Sequence, residues 1–72
     1  MEQMTVKKLF ELCKKEIAKG YGDKKILLSD DDEGNGYHAM YFGFTSKQSV
    51  VKECIEYSNT YIKNTKDYVI LG

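Results

Sequence analysis

The sequence predicts an α+β fold in a single small domain, ordered α-β-β-α-β, with a three-stranded antiparallel sheet and two helices mostly on one of its faces. Apolar residues recur at spacings of three and four in two separate stretches, residues 5–19 and 46–63. Between those stretches, two apolar or aromatic runs flank an acidic, glycine-rich segment, which is the pattern of a hairpin. A last apolar run, Tyr68 to Leu71, supplies the third strand. At 72 residues, the chain is of a size that buries only about 60% of the surface its unfolded form exposes, so there is little interior for an elaborate active site.

The first helix begins at Thr5, whose hydroxyl can cap it, with Met4 and Leu9 placed to staple the entry. Val6, Leu9, Phe10, Cys13 and Ile17 make one apolar stripe, and Gly20 ends the helix in a left-handed cap. Lys25 to Ser29 (KILLS) reads as a short strand. Tyr37 to Thr45 (YHAMYFGFT) reads as a longer one, whose even positions Met40, Phe42 and Phe44 are the bulkier set and should face the helices. Asn35-Gly36 is a turn dipeptide in which both positions tolerate positive φ. Thr45 with Gln48 has the form of a capping box, opening a second helix that carries Val50, Val51, Cys54, Ile55, Ser58, Tyr61 and Ile62.

Eleven basic and eleven acidic residues cancel, so no chain-wide field marks a nucleic-acid or membrane binder. Cys13 and Cys54, both on apolar stripes, read as free core thiols. With no signal peptide or long apolar run, this points to a reducing cytoplasm. No Cys-x-x-Cys or His-x-x-x-His pair fixes a zinc site, and thiols read as core do not offer the partly exposed, electropositive setting that a nucleophile working with His38 would need. Lys7, Lys8, Lys14, Lys15 and Lys19 form a basic helix face, but Glu11 and Glu16 interrupt it, Glu11 being placed to pair with Lys15.

The segment Ser29 to His38 (SDDDEGNGYH) concentrates the functional signal. Asp30, Asp31, Asp32 and Glu33 form a compact carboxylate cluster at a hairpin tip, able to imitate a phosphate track and dock on a lysine- or arginine-rich surface. A solvated turn that discourages edge pairing is the plainer account of the same residues. Asp31, Glu33, Asn35 and Gly36 also fill the first slots of a calcium loop, but its closing glutamate is replaced by Phe42. The glycines lack the lysine and hydroxyl of a phosphate-binding loop, and hydrated carboxylates on a hairpin are poor acid-base catalysts. Helices on one face leave the other open, with Tyr37 and Tyr41 on it as amphipathic contact residues; helices that straddle the sheet, or tyrosines that merely shield it, are the plainer account.

Thr5 to Leu12, Ser29 to Tyr37 and Val69 to Leu71 together resemble small proteins encoded by bacteriophages and prophages. Those carry a TVKELIELL-like helix, a VxxSxDxEGNxxxPL-like segment and a closing VVL strand. Here the second helix departs from that layout, and His38-Ala39 replaces the proline-leucine. In style, without a shared motif, the chain is also similar to phage-encoded inhibitors of bacterial defence nucleases, anti-CRISPR proteins among them. The resemblance implies a setting in a bacterial host cell and transfers no site. The resulting expectation is a non-catalytic phage or mobile-element accessory protein, without a cofactor, that binds a host protein with a basic surface through Asp30, Asp31, Asp32, Glu33, Tyr37 and Tyr41, inhibition of a nucleic-acid-binding defence protein being one form of that role. Alternatives are a divalent-cation or small-ligand module using Asp31, Glu33 and Asn35, and a homodimer built on the tyrosine face.

Overall fold

The computed structural model describes residues 2–72. It contains helices α1 (Val6–Ala18) and α2 (Gln48–Tyr57), strands β1 (Leu27–Ser29), β2 (Tyr37–Ala39), β3 (Phe44–Thr45) and β4 (Ile70–Leu71), and a short 3-10 turn, Thr65–Asp67. The class is α+β. The sheet is not the single three-stranded one expected: β1 pairs with β2 and β3 with β4, giving two separate antiparallel ribbons. The aromatic run breaks at residues 40–43, so its two ends join different ribbons. Gly43, which has no side chain to pack, lies at the break, and its carbonyl accepts the Gly72 N–H at 3.1 Å. The ribbons approach where Leu28 Cδ1 comes within 3.4 Å of the position a Cβ on Gly72 would take.

α1 forms as its residues dictate. Thr5 Oγ1 accepts the Lys8 N–H at 3.1 Å. At the other end, Gly20 adopts φ +90, and the Tyr21 and Gly20 N–H groups reach back to the Glu16 and Ile17 carbonyls, which closes the last turn. α2 is shorter than expected at both ends. Thr45 is held in β3 opposite Ile70, so it cannot cap. Lys47 stands at the N-cap without a side-chain bond, and Gln48 Nε2 donates instead to the Ser46 and Tyr68 carbonyls. The helix stops at Tyr57 because Ser58 Oγ bonds the Ile55 carbonyl and Asn59 turns left-handed at φ +60, leaving Tyr61 and Ile62 outside it.

The core is small. Among the described residues, Val51 (0% exposed) and Ile55 (9%), one turn apart on α2, are the buried side chains, and α2 packs on the Thr65–Asp67 turn. The expected cover of one sheet face by both helices is therefore not formed. Phe42 is 75% exposed, and the stripe of α1 stands open, with Val6, Phe10 and Ile17 all more than half exposed. Cys13 and Cys54 are free but exposed, not core. The Cα radius of gyration is 14.0 Å, against about 11 Å for a compact chain of this length.

Candidate functional site

The acidic segment forms the connection between β1 and β2. The ladder pairs Ser29 with Tyr37, and the Asp30 N–H donates to the Gly36 carbonyl at 2.9 Å. The turn is not the two-residue Asn35-Gly36 type. Gly34 takes the left-handed conformation (φ +71), whereas Asn35 and Gly36 do not have positive φ.

Asp31 sets the shape of this loop. Its Oδ1 accepts the N–H groups of Glu33 (2.9 Å) and Asn35 (3.1 Å), and its Oδ2 accepts Asn35 Nδ2 at 3.0 Å. Its backbone carbonyl accepts the Ser29 hydroxyl and the Gly34 N–H. An aspartate side chain that bonds the backbone two and four residues on holds the chain in a turn without help from the rest of the molecule. The Asn35 backbone N–H, its side-chain amide and the Glu33 N–H favour the ionised carboxylate and hold the Asp31 pKa below 3.8.

The other three acids differ from it and from each other. Asp30 pairs with His38 Nδ1 on the facing strand, and a Cβ on Gly36 would come within 2.6 Å of its Oδ2, so the missing side chain makes room for the pair. Glu33 Oε2 accepts only a long bond, 3.4 Å, from Asn35 Nδ2. Asp32 makes no hydrogen bond or ion pair among the described residues and faces water. Two carboxylates therefore build the turn, and Asp32 with Glu33 is what it presents.

Tyr37 lies across the loop, its hydroxyl 3.0 Å from the position of a Cβ on Gly34. Tyr41 is 85% exposed and sits beyond β2, at the end of the ribbon remote from the turn. The expected shared face of Tyr37 and Tyr41 is thus not assembled as a sheet surface. Sequence alone reads Asn35-Gly36 as the turn and gives Gly34 and His38 no structural part, although the spacing of Asp31, Gly34 and Asn35 is that of an aspartate-capped turn.

Toward a cation, Asp31 Oδ2 accepts the Asn35 amide at 3.0 Å, while Glu33 receives only its long bond at Oε2. Among the described residues, no group of three His, Cys, Asp or Glu side chains converges. The α1 lysines are divided: Lys8 pairs with Glu2 (3.0 Å), Lys19 with Glu16 (2.8 Å), and Lys14 Nζ lies 5.4 Å from the centre of the Phe10 ring. The expected Glu11–Lys15 pair is not made. No helix among the described residues is long and apolar enough to cross a membrane.

Compared with known proteins, the chain matches no family model, no curated protein and no solved structure.

Proposed function

We propose that the protein is a non-catalytic accessory protein, of phage or mobile-element type, that docks its β1–β2 turn on a basic surface of a host protein, including one that itself binds nucleic acid. The supporting observation is the division of labour among the four acids. Asp31 fixes the loop through local bonds, Asp30 ties it to β2, and Asp32 and Glu33 project as a pair of hydrated carboxylates beside Tyr37. Preformed charge of this kind steers encounter and loses little conformational freedom on binding. Tyr37 adds an amphipathic contact at the edge of the charge.

The test is capture from a bacterial lysate by the full chain and by the Asp32→Lys/Glu33→Lys double variant, with mass spectrometry of what is held. A partner with a basic surface, held by the native turn, lost from the variant and released by added salt, supports the reading. Equal capture by both forms removes the turn as the anchor.

A further inference from the structure

We propose that the groove between α2 and the chain returning from it binds a nucleoside phosphate, with Lys52, Lys63 and Lys66 on the phosphates and Tyr61 against the base. The chain leaves α2 at the left-handed Asn59 and turns back, so that the Thr65–Asp67 turn packs on the helix. Gln48 Nε2, in the first turn of α2, donates to the Tyr68 carbonyl at 3.4 Å and ties the far end of the returning segment to the start of the helix. Between them lies a groove of ≈ 590 Å³, lined on one side by the enclosed Ile55. That volume falls within the range of small-molecule sites, about 300–1,000 Å³.

The charge around this groove is positive. Lys52 on α2, with Lys63 and Lys66 on the returning segment, stands against one acid, Glu56, an excess of two positive charges in a chain whose net charge is zero. Among the described residues these three lysines make no ion pair or ring contact, whereas Lys8, Lys14, Lys19 and Lys24 are engaged with Glu2, Phe10, Glu16 and Tyr21. Asp67, next to Lys66 in the chain, lies outside the lining and accepts the Asn64 amide at 3.1 Å. Lysines left without a protein partner around one hollow suit a multiply charged anion, which they meet as point charges. Tyr61 lines the same groove and is 89% exposed, so its ring is free to stack on a base. Three cations around one hollow match the adjacent phosphates of one small ligand, whereas a nucleic-acid strand repeats its phosphates along a track. The groove belongs to α2 and not to the β1–β2 turn, so it stands or falls separately from the docking role of Asp32 and Glu33.

Calorimetric titration of the full chain with ATP, tripolyphosphate and adenosine, without magnesium, separates the two halves of the ligand. ATP should bind, tripolyphosphate should bind about tenfold more weakly for want of a base to stack, and adenosine should give no heat in the same range. Lys63→Gln/Lys66→Gln should weaken ATP binding by about tenfold or more with Tm unchanged, since both side chains are exposed and unpaired. Tyr61→Ala should lower the ATP affinity to that of tripolyphosphate and leave tripolyphosphate binding as it was, a split that a misfolded variant does not produce. Glu56→Gln, which removes the one acid of the groove, should tighten ATP binding by about twofold to fivefold. No ATP binding up to millimolar levels, ATP binding indifferent to the loss of both lysines, or tripolyphosphate held as tightly as ATP overturns the proposal. So does a short thymidine strand that binds more tightly than ATP and is lost from the lysine variant, because the groove is then part of a nucleic-acid track.

Discussion

Replacing Gly34 by alanine tests the turn most directly. Gly34 holds φ +71, which costs an L-residue about 1–2 kcal/mol. The new Cβ would also meet the Tyr37 hydroxyl at 3.0 Å, but that is the far end of a mobile ring and can move aside cheaply. Alanine restricts the unfolded chain and returns about 0.4–1 kcal/mol, so the net loss is about 1 kcal/mol. For a domain this small, that is a fall in Tm of about 4–8 °C. Gly43→Ala is the matched control, because nothing lies within 4 Å of its Cβ and its φ is not positive. Only the unfolded-chain effect remains there, and Tm should rise by a few degrees, about 2–6 °C. Differential scanning calorimetry of both variants reads the contrast. If Gly34→Ala melts no lower than the native chain, or if the two alanines behave alike, the left-handed turn and the role given to Asp31 in shaping it are wrong.

Val51→Ala should cost about 1.5–3 kcal/mol and Val50→Ala less than half as much, because Val51 is fully enclosed while Val50 is partly in water; urea unfolding of the two distinguishes them. Asp31 has a lowered pKa in the folded chain, so the unfolded state binds protons more readily. Its stabilising contribution is complete above pH 3.8 and fades as pH falls through the lower folded value. In Asp31→Asn, the decline of Tm below pH 4 should accordingly be shallower, as roughly checked by melts between pH 2 and 5. Asp32→Ala, which breaks no bond, should leave Tm within about 2–4 °C of native. Calcium at millimolar levels should give neither heat in calorimetry nor a rise in Tm, since among the described residues no three carboxylate, histidine or cysteine side chains converge on one point.

Local chemistry was readable in the sequence, and long-range pairing was not. Thr5 and Gly20 bound α1 because caps act over one turn, and both do in the structure what their residue types favour. Thr45 has equally good capping chemistry, yet its place in β3 opposite Ile70 takes it out of reach of α2. Asn59 carried a stop signal of its own, since asparagine tolerates the left-handed conformation, but the apolar spacing of Tyr61 and Ile62 masked it. The aromatic run from Tyr37 to Thr45 reads as one strand by composition. Only its partners show that Tyr37–Ala39 and Phe44–Thr45 belong to different ribbons. The acidic segment lies at the hairpin connection where the pattern put it, but four neighbouring carboxylates look alike on the page, and only three-dimensional neighbours separate Asp30 and Asp31 from Asp32 and Glu33. In the same way, an amphipathic stripe tells which side of α1 seeks cover without naming what covers it.

α1 supplies 13 α-helical residues and α2 only 10, yet the buried pair Val51 and Ile55 belongs to α2. Far-ultraviolet ellipticity consequently weights the rod that is least anchored within its own chain, and helices of this length are marginal in water when left alone. An optical melt that runs ahead of the heat-absorption peak would therefore report local unfolding of α1 while the rest of the chain stays folded, because the chromophores being counted are concentrated on the loosest part of the molecule.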